Sequence, residues 1–306
     1  INKFKCATIA EAEMLASVGA KDVLLAYQPT GPKIQRLVGL LSRYPNTIFS
    51  CLSDNVETAN SISRIHSGEN VSVNIWIDLN VGMNRTGIKP DDAFELAKHV
   101  STLPAIKLVG LHVYDGHLRD NDLNTRTEKC NGAFGAVEAL QQKIKSELRI
   151  ETNIVAGGTP TFPIHAKRKN VECSPGTFIF WDSGYSSTLK EQPFLYAALV
   201  LTRVVSKPAE NVLCLDLGHK SIASENPLPY RVSFLNAPEL EAIGHSEEHL
   251  VVKTSQWEKY KLGDLLYGVP FHICPTVALH DFGWAVENGK ASQQWSILAR
   301  KRKIEV

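Results

Sequence analysis

The sequence lacks several features that would assign it to a special class of protein. Its formal net charge is only +1 and it has no basic block, which argues against a nucleic-acid partner or a membrane-surface partner. No apolar run approaches the ~20 residues that a membrane-spanning helix needs, and no signal peptide is recognisable. The six cysteines are scattered without a C-x-x-C pair, which favours a reducing compartment over a disulfide framework. We therefore expect a cytoplasmic protein.

An initial methionine is also missing from the sequence. The chain opens at Ile1 and enters a strand-like run, KFKCAT, almost at once. We therefore expect that processing or truncation has removed a preceding segment.

Strand-like and helical segments alternate over the first 182 residues. Thr8 and Glu11 form a capping box before one helix, and Pro32 stands where a first helical turn tolerates proline. The apolar strand-like runs are Phe4–Ala7, Val23–Tyr27, Thr47–Leu52, Val71–Leu79, Lys107–Tyr114, Thr152–Ala156 and Thr177–Trp181. Such alternation predicts a parallel sheet. A closed barrel has eight strands, so the pattern predicts a TIM-type (β/α)8 barrel whose first strand would precede Ile1.

The pattern changes after about Asp182, where strand-like runs replace the helical segments. Turn residues separate these runs, as at Lys207-Pro208 and Glu287-Asn288-Gly289. This part of the chain is typical of an antiparallel β domain. We predict a barrel domain at 1–190 and a β domain at 191–306.

Two glycine-threonine turns follow apolar runs near the end of the predicted barrel. They are Gly157-Gly158-Thr159 and Gly176-Thr177, one βα unit apart. Backbone N–H groups without a shielding Cβ, together with a threonine hydroxyl, are suited to binding phosphate. Either turn alone is ordinary turn chemistry, but the pair at neighbouring strand ends favours a ligand that carries a phosphate.

Other polar residues also lie just after predicted strands. Gln28 follows one strand, Arg85 lies in the turn NVGMNRTG, and Tyr114 and His117 lie in YDGHL. The carboxyl ends of barrel strands form the active face. Each residue alone fits an ordinary surface or loop position, but together they predict a site at one rim.

The second domain carries one candidate metal site, in the segment PFHICPT. His272 and Cys274 would face the same side of a strand, where an imidazole and a thiolate favour zinc. The alternative is a core cysteine beside a polar histidine.

These residues lie within motifs that resemble the D-threonine aldolase / D-serine dehydratase family, whose members are pyridoxal-phosphate enzymes related to alanine racemase. The resemblance covers nearly the whole chain. Its motifs in order are KFKCATIAEAEML, LNVGMNRTG, HVYDGHL, AGGTPTF, ECSPGTFIFWD, LDLGHKSIASE, SEEHLVV and HICPT. It implies a barrel that holds pyridoxal phosphate and a β domain that completes the active site of a partner subunit in a homodimer.

The resemblance also implies roles for individual residues. Gly158, Thr159, Gly176 and Thr177 would hold the phosphate, and Arg85 would contact the phenolic oxygen of the cofactor. Gln28 and Tyr114 would line the cofactor, and Tyr114 and His117 are the catalytic candidates. His272 and Cys274 would bind a divalent metal, either zinc or manganese or magnesium.

The sequence departs from the family at one position of consequence. The family's Schiff-base lysine lies in a motif upstream of the KFKCAT equivalent, and no such motif is present here. Lys3 and Lys5 lie on the next strand and Lys33 in a predicted helix. We therefore expect the first segment of the enzyme to be absent from this sequence.

The implied activity is a lyase reaction on D-β-hydroxy amino acids, with D-threonine aldolase as the first expectation. D-serine dehydratase is the alternative, since the dehydratases resemble this chain in pairing histidine with cysteine. An amino-acid racemase and a non-catalytic pyridoxal-phosphate protein are further alternatives. A racemase needs no metal, and the small carrier proteins lack a second domain.

Overall fold

Seven strands in the first part of the chain pair side by side in chain order, and every pair is parallel. They are β1 (Lys3–Cys6), β2 (Asp22–Leu25), β3 (Ile48–Ser53), β4 (Val73–Leu79), β5 (Ile106–Val113), β6 (Asn153–Ala156) and β7 (Val171–Cys173). The sheet curls like part of a barrel. The predicted parallel architecture is therefore confirmed.

The computed structural model describes residues 1–306. Their contacts divide them into two units, Ile1–Pro175 with Leu298–Val306 and Gly176–Ile297. The predicted domains, 1–190 and 191–306, stay a prediction, since compact units need not coincide with domains. No helix in either unit combines the length and the apolar character required to span a bilayer.

The first unit contains six α-helices, and the predicted start signals of the first two are confirmed. They are α1 (Ile9–Ser17), α2 (Pro32–Arg43), α3 (Val56–Gly68), α4 (Ala93–Thr102), α5 (Leu123–Lys143) and α6 (Phe162–His165). The capping box of α1 is confirmed, because the Glu11 N–H donates to Thr8 Oγ1 at 3.1 Å and the Thr8 N–H donates to Glu11 Oε2 at 2.9 Å. Pro32 is the first residue of α2, as predicted.

The two faces of the parallel sheet have different partners. One face packs against the helices in the large core, which includes Val23, Ile75 and Leu111. The other face carries a small apolar cluster of Leu24, Leu52, Trp76 and Val155. We call this second face the inner face. Residues paired in register point to the same side, so Lys5, paired with Leu24, and Asp78 and His112, paired with each other, also lie on the inner face.

One predicted strand is wrong. Thr177–Trp181 is not the seventh strand, because Thr177–Ile179 forms a 3-10 turn and β7 lies earlier, at Val171–Cys173. Phe178 and Trp181 both pack on Phe194, with ring centroids 5.5 and 5.2 Å away. A spacing of three residues toward one neighbour is helical rather than extended, and the apolar run alone does not distinguish the two.

The second unit is antiparallel, as predicted. Its six-stranded sheet has the order β10-β13-β8-β9-β12-β11, and β14 and β15 form a separate hairpin. The elements are α7 (Ser183–Thr188), β8 (Val200–Ala209), β9 (Val212–Leu215), β10 (Val232–Phe234), β11 (Glu241–His245), β12 (Leu250–Lys253), β13 (Leu265–Pro270), α8 (Ile273–Leu279), β14 (Phe282–Glu287) and β15 (Lys290–Ser296).

The two predicted turns of this unit have different outcomes. The β14–β15 turn at Asn288-Gly289 is confirmed, with both residues at positive φ as a tight hairpin requires. The predicted turn at Lys207-Pro208 is wrong, because both residues lie within β8 at a register shift. A strand accommodates proline at such an irregularity, and the chain reverses later, at Asn211.

The last residues of the chain pack on α1 and α2. Glu13 is fully buried, and its carboxylate accepts the backbone N–H groups of Glu305 and Val306 at 3.1–3.2 Å. The Arg36 guanidinium donates to the carbonyl oxygen of Val306 at 2.7 Å. These contacts fix the final segment on the first unit.

Candidate functional site

The ring of Tyr114, immediately after β5, is the centre of the candidate site in the first unit. A Cβ at Gly116 would lie 2.5 Å from the Tyr114 Oη, and a Cβ at Gly158 would lie 2.9 Å from its Cε2. Both distances are shorter than a real side-chain contact. The ring therefore occupies space that only glycine at these two positions leaves open, and the predicted proximity of Tyr114 to the Gly158 turn is observed.

Two cationic side chains approach the same ring. The Arg85 guanidinium carbon lies 5.1 Å from the ring centroid of Tyr114, and the Lys5 Nζ lies 5.3 Å from it. Both distances are within the range of a cation–π contact. The site therefore combines an aromatic surface with two positive charges, which suits an anionic ring-shaped ligand.

The loop that carries Arg85 is held by its own side chains. Asn80 Oδ1 accepts the backbone N–H groups of Gly82 and Asn84, each at 3.1 Å. A Cβ at Gly82 would lie 2.8 Å from His117 Nε2, so the His117 ring rests against this loop. The structure thus brings Tyr114, Arg85 and His117 together, and the catalytic role of His117 remains a prediction.

Gln28, which follows β2, and Asp54, which follows β3, support the Arg85 loop. Its Oε1 accepts the Asp54 N–H at 2.8 Å, and Asp54 Oδ2 accepts the Gly87 N–H at 2.9 Å. Asp54 does not cap α3, because Asn55 Oδ1 accepts the Thr58 N–H at the start of that helix. The observed contacts give Gln28 a structural role, and its contact with a cofactor stays a prediction.

The Gly157-Gly158-Thr159 turn is built on a buried network. Gly157 has φ +80°, and a Cβ there would lie 2.8 Å from His165 Cδ2. The His165 Nε2–H donates to Asp115 Oδ2 at 2.8 Å, and the Thr161 hydroxyl donates to Asp115 Oδ1 at 2.5 Å. Burial acts to raise the pKa of Asp115, but the hydrogen bonds from His165 and Thr161 outweigh it and leave that pKa lowered. An ionised Asp115 therefore anchors the turn.

Cys130 lies beside this network and completes a group of three possible metal ligands. Its Sγ is 3.3 Å from His165 Nε2 and 3.7 Å from Asp115 Oδ2. Two atoms that share a tetrahedral zinc ion would be ~3.3 Å apart, whereas His165 and Asp115 are at the 2.8 Å of a hydrogen bond. Burial also raises the pKa of the Cys130 thiol to about 12. We interpret the group as a hydrogen-bond network.

A second polar chain lies on the inner face of the sheet. Asp78 Oδ1 is 2.7 Å from His112 Nδ1, and Lys5 Nζ is 3.5 Å from His112 Nε2. Burial lowers the pKa of His112, and it lowers the pKa of Lys5 to about 8. Sequence reasoning missed this chain, because the three residues meet only through the register of strands that are far apart in sequence.

In the second unit, His272 and Cys274 are neighbours, but not on a strand. β13 ends at Pro270, His272 precedes α8, and Cys274 lies in the first turn of that helix. The predicted strand is therefore wrong. The buried Asp182 carboxylate accepts the Ile273 N–H at 3.1 Å and so satisfies the start of the helix. Pro275 follows in the first turn, where a helix tolerates proline.

The predicted pairing of imidazole and thiol is nevertheless present. A hydrogen bond with Cys274, and a second one with Glu225, raise the pKa of His272 to about 9 against the opposing effect of burial. The same bond from His272, with a smaller one from Thr177, lowers the pKa of Cys274 although burial opposes it. The His272 Nδ1 lies 2.5 Å from Glu225 Oε1, and the Thr177 Oγ1 lies 3.6 Å from Cys274 Sγ.

Thr276 of α8 links the chain just before Glu225 to His272. Its Oγ1 accepts the Ala223 N–H at 3.1 Å and donates to the His272 carbonyl oxygen at 2.8 Å. These two bonds tie Ala223, two residues before Glu225, to His272, the residue that Glu225 contacts. Glu225 is the last residue of the motif LDLGHKSIASE, but the sequence alone assigned it no role.

Both parts of the chain match known protein families. Residues 1–183 match the family described as "Alanine racemase, N-terminal domain", and residues 197–300 match the "Putative serine dehydratase domain". The first match covers more than half of the chain. The chain belongs to the alanine racemase N-terminal domain family.

Individual relatives agree with this assignment. The chain is 28% identical over 304 residues to a D-threonine aldolase of Arthrobacter sp. This alignment covers 96% of the chain and 78% of the relative. The fold of the chain matches the crystal structure of D-threonine aldolase from Filomicrobium marinum with a TM-score of 0.89 and 22% identity, over 98% of this chain and 82% of that one. A metal-free cysteine-to-alanine mutant of D-threo-3-hydroxyaspartate dehydratase matches with a TM-score of 0.81, 18% identity and coverage of 95% and 83%.

The residues of the first unit fit the pyridoxal-phosphate chemistry of this fold family. Tyr114 offers a ring face beside the Gly158 turn, and Arg85 and Lys5 offer positive charge next to it. The donor set of the second unit fits a metal, because a thiol of lowered pKa and an imidazole are ligands that zinc prefers. Gly176 and Thr177 open the second unit, and their share in binding phosphate stays a prediction.

Proposed function

We propose that this protein is a pyridoxal-phosphate- and metal-dependent lyase acting on D-β-hydroxy amino acids, and that it cleaves D-threonine to glycine and acetaldehyde. The observation that carries the proposal is the His272–Cys274 pair with Glu225. A racemase of this family needs no metal, so a dedicated donor set in the same chain favours a lyase. The likeness to the Arthrobacter D-threonine aldolase supports the aldol reaction.

The first unit supplies the cofactor side of this proposal. Arg85 and Tyr114 would hold the ring, and Gly158 and Thr159, with Gly176 and Thr177, would hold the phosphate. Bound pyridoxal phosphate supplies an electron sink for a substrate carbanion. Tyr114 and His117 are the groups that we propose for proton transfer, since both lie at the carboxyl end of β5, where the ring of Tyr114 is fixed by two glycines.

The second unit supplies the metal side. His272 and Cys274 would bind a divalent ion, zinc first and manganese or magnesium next, which would polarise the β-hydroxyl group of the substrate. Glu225 accepts the Nδ1 proton of His272, which leaves Nε2 as the ligand nitrogen.

Dehydration of D-serine to pyruvate and ammonia is the second candidate. The cysteine of the H-x-C motif favours it, because the dehydratases share this ligand in the family resemblance described above. Both reactions use the same cofactor and the same polarised hydroxyl group. They differ in whether the Cα–Cβ bond or the Cβ–O bond breaks.

The products of the reaction distinguish these candidates. Purified protein supplied with pyridoxal phosphate and zinc or manganese is incubated with D-threonine, D-serine and D-alanine, with the L-enantiomers as controls. The proposal predicts glycine and acetaldehyde from D-threonine only. Keto acid and ammonia from D-serine would favour the dehydratase, and interconversion of the alanine enantiomers without metal would reject both lyases.

We also propose that the protein is a homodimer. The hairpin of β14 and β15 exposes Trp284, Val286 and Trp295 by 60%, 68% and 61%. Apolar exposure on this scale is typical of an interaction surface. Light scattering of the protein should give twice the 33.8 kDa of the chain, and the W284E variant should shift it toward the monomer. A monomer at all concentrations would contradict the proposal.

A further inference from the structure

A buried cation, Arg231, lies directly before β10 in the second unit. The residue is only 8% exposed, and its guanidinium hydrogen-bonds to acceptors that carry no charge. The Nε–H donates to His245 Nδ1 at 3.0 Å, and Nη1 donates to the carbonyl oxygens of Asn226 and Tyr230. A buried charge without a carboxylate partner costs free energy. Stability alone therefore does not explain this arginine, and what it contributes is the position of the groups that it holds.

His245, the last residue of β11, is oriented as an acceptor for this guanidinium. Its Nε2–H donates to the Leu217 carbonyl oxygen at 3.1 Å, which leaves the Nδ1 lone pair for Arg231. Burial lowers the pKa of His245, and the charge of Arg231 lowers it further, although the bond to Leu217 opposes both effects. The imidazole is thus neutral at pH 7, and it ties one side of the guanidinium to the six-stranded sheet.

The other side of the guanidinium is connected to the candidate metal site through Asn226. Arg231 holds the carbonyl oxygen of Asn226, and the Asn226 Nδ2–H donates to Glu225 Oε1 at 3.0 Å. The same Glu225 oxygen lies 2.5 Å from His272 Nδ1. One carboxylate oxygen therefore accepts an amide N–H and an imidazole N–H, which fix its position from two directions. A chain of hydrogen bonds thus runs from Arg231 to His272.

The backbone of Arg231 contacts the candidate metal site from a second direction. The Phe271 N–H donates to the Arg231 carbonyl oxygen at 2.9 Å, and Phe271 directly precedes His272. Arg231 thus binds a neighbour of each member of the Glu225–His272 pair, Asn226 by its side chain and Phe271 by its main chain. A substitution of the arginine would release Asn226 but keep the bond to Phe271, since a backbone carbonyl does not depend on the residue type.

We propose that Arg231 is a positioning residue of the candidate metal site, which acts on His272 through Asn226 and Glu225. This inference rests on the proposed function, which assigns a divalent ion to His272 and Cys274. A histidine that binds metal with one ring nitrogen donates the other N–H to an acceptor, and loss of that acceptor lowers metal affinity about 10- to 100-fold. The acceptor here is the Glu225 side chain, which is 47% exposed. Packing therefore does not hold it, and the hydrogen bonds that lead back to Arg231 do.

Zinc affinity in a double-mutant cycle tests the proposal without a measurement of activity. Competition with a chromogenic chelator gives the zinc Kd of the parent, R231M, E225A and the double variant. R231M should weaken zinc binding about 10-fold in the parent, but less than about twofold in E225A, because the group through which Arg231 acts is then gone. R231K should be intermediate, since an ammonium does not reproduce the planar fork with which the guanidinium holds His245 and Asn226.

Two further variants separate this role from a general loss of stability. R203M is the matched control, because Arg203 is an exposed arginine that also donates to a carbonyl oxygen, that of Gly263 at 2.7 Å. It should bind zinc as tightly as the parent. N226A removes only the bond from the amide to Glu225 and should weaken zinc binding about 3- to 10-fold. N226A and R231K also decide the question if R231M does not fold.

The outcome for Arg231 is independent of the outcome for the proposed function. Equal zinc affinities of the parent, R231K and N226A would overturn the inference, as would the same loss from R231M with and without Glu225. If the cycle shows the expected pattern but the parent releases no glycine from D-threonine, the proposed function fails and the positioning role stands. If the parent cleaves D-threonine only with metal and R231M binds zinc like the parent, the inference alone fails.

Discussion

The two candidate sites of this protein are built on different kinds of scaffold. The Tyr114 site lies at the carboxyl ends of parallel strands, where ring, glycines and Arg85 are fixed by backbone contacts and glycine sterics. The His272 site lies at a junction between a strand and a helix, where the fixed groups are side chains that hydrogen-bond to one another. The first site is thus specified by shape and the second by donor chemistry. Substitutions in the two sites should therefore affect different properties.

The largest expected effect is that of C274A. Removal of the thiolate leaves His272 as the main ligand, so we expect loss of most bound metal and at least a 100-fold fall in lyase activity. The visible absorbance of bound pyridoxal phosphate should stay nearly unchanged. Metal content by mass spectrometry, absorbance and glycine release are measured on the same preparation.

A matched substitution sharpens this result. C274D keeps an anionic ligand but replaces sulfur by oxygen, so it should retain a metal and prefer manganese over zinc. If C274A cleaves D-threonine as fast as the parent in the presence of a chelator, then Cys274 only packs against His272.

G158V should impair binding of pyridoxal phosphate and leave metal binding unchanged, the reverse of C274A. A side chain at this position would collide with the Tyr114 ring, since even a Cβ would lie 2.9 Å from it. We expect a 10- to 100-fold loss of affinity for pyridoxal phosphate and unchanged metal content, with fluorescence titration as the measurement. G135A, at a glycine whose Cβ would meet open space, is the control. Unchanged affinity in G158V would show that the ring does not contact the cofactor.

E225Q tests how far the metal site depends on its surroundings. The amide oxygen can still accept the His272 proton, but the charge that favours it is removed, so metal affinity should fall about 10-fold. E225A should lose more than E225Q. Competition with a chromogenic chelator gives both values, and equal affinities for all three proteins would show that Glu225 does not orient His272.

K5M should change stability rather than metal binding. An ordinary lysine is protonated below pH ~10.4, whereas folding lowers the pKa of Lys5 to about 8. Between these values the unfolded chain binds the additional proton, so the stability of the parent rises with pH. K5M should be more stable than the parent below pH 8 by about 1–3 kcal/mol, and the gain should vanish above pH ~10.4. Urea unfolding at several pH values measures it, and a gain independent of pH would mean that folding does not lower the pKa of Lys5.

The difference between the Tyr114 site and the His272 site also explains which of their features could be predicted from the sequence. Tyr114 and Gly158 were predicted as neighbours because the ends of adjacent parallel strands must converge. The His272–Cys274 pairing was found from its spacing, but the backbone was assigned wrongly, since a strand and a first helical turn both bring these side chains together. Lys5, Asp78 and His112 were missed, because only the register of β1, β4 and β5 places them in contact. Asp115 and His165 are 50 residues apart and meet only in the folded chain.

Chelation and restoration of metal during D-threonine cleavage test the central claim most directly, since the account requires two separable cofactors in one protein. With pyridoxal phosphate present, removal of metal should lower glycine release at least 100-fold while the visible absorbance of the cofactor persists. Zinc or manganese should then restore the rate. Cleavage of D-threonine at an unchanged rate in the metal-depleted protein would contradict the account.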